Sequence, residues 1–417
     1  MAETKNIRTI TLTAATAVVL AIGVPVAHAA THNATPPGAA ASTRTAGAGS
    51  SDSGSGWAGV VRQSVKIDMG AGWIAEGELD YPQGAKGRLP VVVLLHGSGH
   101  NDMDQSMPDG KGSTFVPAAQ AITDRGYAVL RFNKRGVTGV GPVLSDDPVQ
   151  LAPARPYQRI LKDAAAVVRF AAASPKVDPS RIYLLGHSEG TQVAANLAAH
   201  PQTFGIPKPA GVIAMGVVGA DIKDLIIFQL AGVKATRLHQ EFDVNGDGYL
   251  TYREAVDGLI GQSKADAAGY RKVLLSGKRV NPATDTNHDG RVAIDSEAGR
   301  VFRKAAGVAN YPKLTGLDQT LVGYLKDIAR FGNVRKDLPR FDGPTLMLNG
   351  EDDIQTPART ALAADAAVGA AGNRDHTIIT YPGMAHTMNR TTKFAPDFGN
   401  PDPAVLADIQ RWLSAHN

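Results

Sequence analysis

The sequence predicts an α/β fold in which a mostly parallel sheet is joined by crossover helices. Two observations lead to this prediction. Short, continuous aliphatic runs are typical of strands buried on both faces, and they occur at 90–95, 128–132, 182–185, 212–215, 345–348 and 377–380. Helical patterns of apolar residues lie between most of these runs, at 115–125, 157–173, 191–200, 357–368 and 403–415. Strands that alternate with helices form parallel sheets covered by helices.

The composition excludes several classes of function. The chain has 417 residues, which is enough for one large domain with an insertion or for two domains. The formal net charge of +4 is small, and the Lys and Arg residues are scattered, so nucleic-acid binding is not indicated. The chain has no cysteine, which excludes disulfides, thiolate nucleophiles, Cys-based zinc sites and a lipid-carrying cysteine.

The first residues have the pattern of an export signal. Lys5 and Arg8 precede an apolar run over 10–26, and Ala27-His28-Ala29 fits the small-x-small cleavage pattern. A membrane anchor is the alternative, but Gly23 and Pro25 interrupt the run, which is short for a membrane span. We therefore expect a signal peptide over 1–29, a secreted or periplasmic protein, and no stable membrane anchor.

The remaining chain divides into three parts. Residues 30–56 are almost devoid of large apolar side chains and predict a disordered linker. Residues 57–218 and 341–417 carry the strand and helix pattern of a catalytic domain, which starts with two strands over 60–69 and 73–81. Residues 219–340 are helical in pattern where a short crossover would suffice, so we expect an inserted cap there.

A nucleophile is predicted in the pentapeptide Gly186-His187-Ser188-Glu189-Gly190. It follows the run 182–185 and precedes the helical pattern 191–200. On such a strand–turn–helix this motif resembles the nucleophile elbow of α/β-hydrolases, in which a sharp turn exposes the serine Oγ. A glycine-rich turn with a capping serine is the alternative. The free N–H groups at the helix start suit a developing oxyanion.

The oxyanion donors are predicted from two loops. His96-Gly97-Ser98-Gly99 directly follows the run 90–95, and the backbone N–H of Ser98 is the candidate there. The backbone N–H of Glu189, the residue after the nucleophile, is the second candidate.

The base and its orienting acid are predicted from later loops. His386 follows the strand at 377–380, so it comes to the same rim as Ser188. Asp353 follows the strand at 345–348 and is the preferred acid, with Asp352 and then Glu351 as alternatives. A serine nucleophile needs such a base, held by an acid.

The motifs together resemble the bacterial α/β-hydrolase carboxylesterases related to prolyl oligopeptidase and dienelactone hydrolase. The matching segments are VVVLLHGSGHNDMD at 91–104, LRFNKRGV at 130–137, the pentapeptide at 186–190, GEDDIQTP at 350–357 and PGMAH at 382–386. The resemblance covers about 60–218 and 340–415. It implies an α/β-hydrolase fold, acyl transfer from an ester to water, and Asp353 as the acid.

Two features depart from that family. Asn133 stands where the family usually has aspartate. The long segment after Val218 is unlike the short caps common in the family.

A calcium site is predicted inside the insertion. Residues 243–254 fit the twelve-residue EF-hand loop at every ligand position. The predicted ligands are Asp243, Asn245, Asp247, the Tyr249 carbonyl and bidentate Glu254, with Gly248 at the sharp turn and Thr251 acting through water. An acidic loop without metal is the alternative. Helical patterns flank this loop at 225–242 and 252–260.

A second, weaker loop begins 42 residues later and repeats the first half of the pattern. Its predicted ligands are Asp285, Asn287, Asp289, the Arg291 carbonyl and Glu297. Position twelve is Ser296, so Glu297 comes one residue late, and Asp295 is a further possible ligand. We expect calcium to stabilise the cap rather than to regulate it. A dockerin-like module is the rival interpretation of the tandem loops.

The sequence therefore predicts a secreted serine hydrolase acting on small-molecule esters, with Ca²⁺ in the cap and no cofactor for catalysis. A serine peptidase or a thioesterase would use the same fold and triad. A secreted, non-catalytic calcium-binding scaffold is the alternative from a different class.

Overall fold

The computed structural model describes residues 57–107, 110–309, 319–392, 394 and 397–417. The predicted signal peptide and linker, residues 1–56, lie outside the described residues. In the part of the chain that is described, no helix combines the length and apolar character needed to cross a membrane.

An eight-stranded sheet forms the centre of the molecule. Its strands are β1 (Val60–Asp68), β2 (Ile74–Pro82), β3 (Leu89–Leu95), β4 (Ala128–Phe132), β7 (Val177–His187), β8 (Gly211–Met215), β13 (Thr345–Gly350) and β14 (His376–Tyr381). The strand order is β1-β2-β4-β3-β7-β8-β13-β14. β1 and β2 are antiparallel, as are β2 and β4, and the remaining neighbours are parallel. The predicted mostly parallel sheet is confirmed.

The continuous aliphatic runs form strands because helices cover both faces of the sheet. In β3, Val91, Val93 and Leu95 pack into one core cluster, while Val92 and Leu94 pack into the cluster on the opposite face. All five side chains are almost completely buried. A strand with two buried faces cannot alternate apolar and polar residues, which explains the uninterrupted pattern.

Five helices around the sheet begin and end close to the predicted positions. They are α1 (Phe115–Thr123), α3 (Pro156–Ala173), α4 (Glu189–Ala199), α13 (Ala358–Ala370) and α14 (Pro403–Ala415). Two short helices were not predicted, α2 (Pro148–Leu151) and α5 (Pro201–Phe204). A small hairpin of β5 (Val137–Thr138) and β6 (Val143–Leu144) follows β4. The crossover helices that the fold class requires are therefore present.

The segment 222–340, called the interstrand segment below, separates β8 from β13, although these two strands are neighbours in the sheet. Its helices are α6 (Ile222–Ile227), α7 (Val233–Glu241), α8 (Tyr252–Asp257), α9 (Lys264–Leu274), α10 (Gly299–Ala305), α11 (Gln319–Ile328) and α12 (Val334–Asp337), with a 3₁₀ turn at Leu338–Arg340. Its short strands are β9 (Tyr249–Leu250), β10 (Leu275–Ser276), β11 (Arg279–Val280) and β12 (Val292–Ala293).

The interstrand segment has a hydrophobic core of its own. Leu238, Phe242, Leu250, Val292 and Leu325 belong to a buried cluster that is distinct from the two clusters of the sheet. The sequence predicts one helical stretch over 225–242. In the structure a π-helical turn at Phe228–Gly232 separates α6 from α7, so this stretch is helical but not uniformly α-helical.

Candidate active site

Ser188 sits in a sharp turn between the end of β7 and the start of α4. Its backbone has φ 55° and ψ −122°, which a residue with a Cβ adopts only under strain. The flanking glycines are sterically required. A Cβ on Gly186 would collide with the Gly190 carbonyl, and a Cβ on Gly190 would collide with the Leu95 carbonyl. The turn therefore needs small residues on both sides of the serine.

Hydrogen bonds join this turn to the ends of the neighbouring strands. The Ser188 N–H donates to the Met215 carbonyl at 2.9 Å, and the Gly216 N–H donates to the Leu348 carbonyl at 2.9 Å. A Cβ on Gly216 would lie only 3.2 Å from the His386 ring. Ser188 and His386 thus both lie against the carboxyl end of β8, as expected for the ligand-binding edge of a parallel sheet.

Asp353 and His386 form a buried pair. Nδ1 of His386 lies 2.8 Å from Oδ2 of Asp353, and the two residues are 4% and 1% exposed, respectively. Burial alone would raise the pKa of Asp353. The charge of His386 and hydrogen bonds from His386 and Thr356 outweigh burial and lower this pKa below its usual range. Asp353 is therefore ionised and able to stabilise a charged imidazole.

Among the described residues, neither of the other two candidate acids is hydrogen-bonded to His386. The Glu351 carboxylate accepts a hydrogen bond from the Thr380 hydroxyl at 2.9 Å. The Asp352 N–H donates to the Met384 carbonyl. Of the three acidic residues in this loop, Asp353 is the one whose carboxylate is hydrogen-bonded to His386.

His187 supports the site without being placed to act as its base. Its Nε2–H donates to the His386 carbonyl at 3.1 Å, and its Nδ1 accepts from the Gln105 side-chain amide at 2.7 Å. This arrangement uses the neutral ring. Burial, with a smaller contribution from the nearby charge of His386, lowers the pKa of His187 to about 3. His187 therefore remains neutral and holds the His386 backbone in place.

The two predicted oxyanion donors belong to adjacent loops. A Cβ on Gly97 would lie 3.2 Å from the Ser188 Cβ, so the loop after β3 runs directly beside the nucleophile. The Gly97 N–H is already used, because it donates to the Gln105 side chain at 2.7 Å. Within the described part of the chain, the N–H groups of Ser98 and Glu189 donate to no acceptor. Both remain available for a substrate oxygen.

A buried polar cluster fixes these two loops to each other. Lys134 Nζ donates to the Gly97 carbonyl at 2.8 Å and to the Glu189 carboxylate at 3.0 Å. The Tyr324 hydroxyl donates to the same carboxylate, and the Ser98 hydroxyl lies 3.5 Å from it. Burial, followed by the Glu189 charge, raises the pKa of Tyr324 well above its usual value, so the phenol remains a donor.

Sequence reasoning assigned no role to Lys134, Tyr324 or Thr356. Thr356 donates its hydroxyl hydrogen to Asp353 Oδ2 at 2.7 Å and its N–H to Oδ1 at 2.9 Å. Lys134 lies in the segment LRFNKRGV and Thr356 in GEDDIQTP, two of the segments that resemble the esterase family. Their position in these segments could have indicated a role at the site. Tyr324 lies in the interstrand segment, and no local pattern marks it.

Asn133, the departure from the family pattern, is well accommodated. Its Oδ1 accepts from the Met103 N–H at 2.6 Å, and its Nδ2 donates to the Gly139 carbonyl at 3.0 Å and to Glu76 at 3.3 Å. A carboxylate could accept the first bond but could not donate the others. The amide therefore suits this loop, which leads into β5.

Residues of the site line two cavities, of which the smaller lies at the nucleophile. A small cavity of about 30 Å³ is lined by Ser98, Ser188 and Glu189 on the sheet side and by Leu225 and Tyr324 of the interstrand segment. A larger cavity has a volume of about 290 Å³. It is lined mainly by apolar residues, among them Met69, Phe132, Leu151, Pro153 and Ile160. Glu189 and Tyr324 line both cavities, so their hydrogen bond stands at the boundary.

The two predicted calcium loops lie in the interstrand segment. β9, within the first loop, pairs antiparallel with β12, within the second, so Leu250 faces Val292. The structure therefore brings the two loops side by side.

Comparison with known proteins places the chain among hydrolases. Residues 92–395, more than half of the chain, match the sequence model of the alpha/beta hydrolase family. Esterase EstD of Thermotoga maritima is 35% identical over 130 residues, which are 31% of this chain and 28% of that protein. The match thus spans less than a third of this curated relative.

Two solved structures are similar to this chain at low sequence identity. Est1E from Butyrivibrio proteoclasticus has 14% identity and a TM-score of 0.43, over 85% of this chain and 98% of that one. The acylaminoacyl peptidase of Pyrococcus horikoshii has 14% identity and a TM-score of 0.42, over 79% of this chain and 38% of that one.

Proposed function

We propose that this chain, which belongs to the alpha/beta hydrolase family, hydrolyses carboxylic esters through an acyl-enzyme on Ser188. One observation carries the proposal: the buried Asp353–His386 pair and the strained Ser188 turn both lie against the carboxyl end of β8. A serine, an imidazole and an ionised carboxylate at one sheet edge suit nucleophilic catalysis.

The first half of the reaction forms the acyl-enzyme. Ser188 Oγ attacks the carbonyl carbon while His386 Nε2 takes its proton, and Asp353 stabilises the imidazolium through Nδ1–H. The substrate oxygen becomes an oxyanion held by the N–H groups of Ser98 and Glu189. The ester C–O bond then breaks, and His386 returns the proton to the leaving alcohol.

The second half releases the acid. Water enters, His386 takes one of its protons, and the hydroxyl oxygen attacks the acyl carbon. The bond to Ser188 breaks as Oγ regains its proton from His386.

The interstrand segment is proposed to select the substrate. Leu225 and Tyr324 form one side of the small cavity at Ser188, and the larger apolar cavity begins beyond the Tyr324–Glu189 hydrogen bond. We propose that the apolar part of the ester occupies the larger cavity. Lys134 and Tyr324 position Glu189, and through it they hold the oxyanion loops together.

Export is part of the proposed function and is supported by sequence alone. Lys5 and Arg8 precede the apolar run 10–26, and the Ala27-His28-Ala29 site comes directly after it. The mature enzyme would then act on esters outside the cytoplasm.

A panel of p-nitrophenyl esters with increasing acyl length tests both the reaction and the cavity. The wild type is expected to hydrolyse these esters and to prefer chains long enough to reach the larger cavity. Ile160→Trp should fill part of that cavity and lower kcat/KM for long acyl chains about 10-fold or more relative to the acetate ester. Keeping one methylene of a substrate out of an apolar pocket lowers kcat/KM by roughly this factor. Leu362→Trp, on the exposed outer side of α13, is the matched control and should keep the wild-type profile.

Two results would count against these proposals. Folded wild-type protein that cleaves no ester contradicts the hydrolase assignment. An unchanged chain-length profile in Ile160→Trp shows instead that the ester lies elsewhere, while leaving the hydrolase assignment intact.

A further inference from the structure

The two acidic loops of the interstrand segment form a paired unit. Leu250 and Val292 occupy the eighth position of their loops and face each other across β9 and β12. The Ile294 N–H also donates to the Gly248 carbonyl at 3.0 Å, which extends the contact. Both of these aliphatic side chains, Leu250 and Val292, are completely buried in the core of the segment. The loops are thus held in a fixed mutual orientation by backbone and core contacts.

The first halves of the two loops share most of their internal hydrogen bonds. They differ at Asp243 Oδ1, which accepts from the Asp247 N–H at 3.2 Å, whereas Asp285 Oδ1 has no partner among the described residues. At the first position, Asp243 Oδ2 accepts from the Gly248 N–H at 2.9 Å, and Asp285 Oδ2 accepts from the Gly290 N–H at 3.1 Å. At the third position, Asn245 and Asn287 each accept from the N–H two residues later, at 2.9 Å. The second loop therefore folds like the loop that fits the EF-hand pattern completely.

The second halves also coincide, although their sequences differ by one residue. In the first loop, Glu254 accepts from the N–H of Thr251, three residues before it, at 2.9 Å. In the second loop, Glu297 accepts from the N–H of Ala293, four residues before it, also at 2.9 Å. Thr251 and Ala293 are both the ninth residue of their loop. The two glutamates thus reach the same place from different sequence positions.

A π-helical turn accounts for the extra residue. The helix after the second loop begins with a π turn at Ile294–Ala298, whereas the first loop leads directly into α8. A π turn contains one residue more per hydrogen-bonded ring than an α turn, so it accommodates a one-residue insertion without displacing the rest of the helix. Ser296, which is twelfth by count, is displaced, and Glu297 takes the position of the terminal ligand.

A buried, unpaired oxygen marks the second loop as a ligand site. Asp285 is only 4% exposed, and its Oδ1 has no hydrogen-bond partner among the described residues. Its other oxygen bonds to Gly290 at the centre of the loop, so the carboxylate faces the loop interior. A buried carboxylate oxygen without a donor is costly, and a cation bound in the loop would remove that cost.

We propose that both loops bind Ca²⁺ and that the second loop does so through Glu297, realigned by the π turn. The set of Asp285, Asn287, Asp289, the Arg291 carbonyl and Glu297 supplies hard oxygen ligands in the number that Ca²⁺ accepts. This site is distinct from the catalytic site, and its test is independent of ester hydrolysis.

Binding must turn the glutamates toward the ion. Among the described residues, no three Asp, Glu, His or Cys side chains converge as a preformed metal site. The Glu254 and Glu297 carboxylates instead bond back to the backbones of their own loops. Rotation of each glutamate side chain exchanges those bonds for bidentate coordination.

Arg291 links the charges of the two loops. Its guanidinium lies 3.7 Å from Asp247 of the first loop and 4.0 Å from Asp289 of the second, over the Tyr249 ring. It therefore offsets part of the negative charge of both sites, which should moderate their affinity for a divalent cation.

Calcium titration of the full chain by isothermal calorimetry, after chelator treatment and dialysis, tests the proposal. The wild type is expected to bind two Ca²⁺ ions. Glu297→Gln should weaken the second site at least about 10-fold, since affinity follows the number of charged ligands. The matched controls Ser296→Ala and Asp295→Asn change neighbours of Glu297 and should keep both sites at wild-type affinity.

Several outcomes would overturn the proposal. A wild-type stoichiometry below two Ca²⁺ ions per chain contradicts it, and this result does not depend on any variant being folded. Two sites of wild-type affinity in Glu297→Gln, or equal weakening in Ser296→Ala and Glu297→Gln, also contradict it. Circular dichroism in the presence of chelator identifies any variant that is unfolded. If Glu297→Gln is unfolded, the wild-type stoichiometry and the wild-type melting temperature with and without Ca²⁺ decide whether the proposal holds. The melting temperature should rise with added Ca²⁺, and no rise contradicts binding to the folded state.

Discussion

Replacing Ser188 with alanine is expected to lower kcat for ester hydrolysis by about 10⁶-fold, the loss typical of removing a serine nucleophile. The reaction would then depend on water attacking directly, aided only by the oxyanion donors and substrate binding. The folded structure should persist, because alanine is smaller and the positive φ at position 188 is imposed by the surrounding turn.

The measurement is a single-turnover and steady-state assay with a p-nitrophenyl ester, on protein checked by circular dichroism. Ser414→Ala, on the exposed side of α14, is the matched control and should retain wild-type kcat. Wild-type turnover in Ser188→Ala would remove Ser188 from the mechanism.

Replacing Asp353 with asparagine is expected to lower kcat by about 10⁴-fold through the wrong imidazole tautomer. Oδ1 of Asp353 accepts two backbone N–H groups, from Gln355 and Thr356, so an asparagine oxygen would take that position. The amide NH₂ would then replace Oδ2 and donate to His386 Nδ1. His386 would carry its proton on Nε2 and could not accept the Ser188 proton.

Asp352→Asn is the control for this change, since it removes the adjacent charge while leaving the Asp353–His386 bond in place. It should leave kcat near the wild-type value. Equal losses in the two variants would show that general loop charge, and not the tautomer of His386, explains the effect of Asp353.

Much of the sheet was predictable because burial on both faces leaves a direct trace in sequence. The run 90–95 becomes β3, and 128–132 becomes β4 with identical bounds. The length of β7 was underestimated, because the aliphatic run covers only 182–185. The strand begins at Val177, because Val177 pairs with Leu89 across an irregularity, and Asp178, Pro179 and Ser180 hide the strand behind turn-type residues.

The turn at Ser188 was also predictable, because steric limits restrict Gly186 and Gly190 to glycine. The cluster that joins Glu189 to Lys134 and Tyr324 was not. Lys134 and Tyr324 are 55 and 135 residues from Glu189 along the chain. Lys134 comes from the loop after β4, and Tyr324 comes from α11, which packs against α3. Contacts between distant segments depend on tertiary packing, which no local pattern encodes.

The two acidic loops also differ in how far local sequence predicts them. In the first loop, the twelve-residue pattern predicts the ligand positions from spacing alone. In the second loop, counting from Asp285 assigns the last position to Ser296. Whether Glu297 replaces it depends on helix geometry after the loop, and the π turn at Ile294–Ala298 supplies that geometry.

Labelling with a fluorophosphonate probe tests most directly whether Ser188 is an activated nucleophile. The folded wild type should take up one probe per chain, and peptide mass spectrometry should locate it on Ser188. Heat-unfolded protein and Ser188→Ala should remain unlabelled, and Asp353→Asn should react far more slowly. Folded wild-type protein that takes up no probe, or that carries it on another serine while Ser188 is unmodified, would contradict the proposed active site.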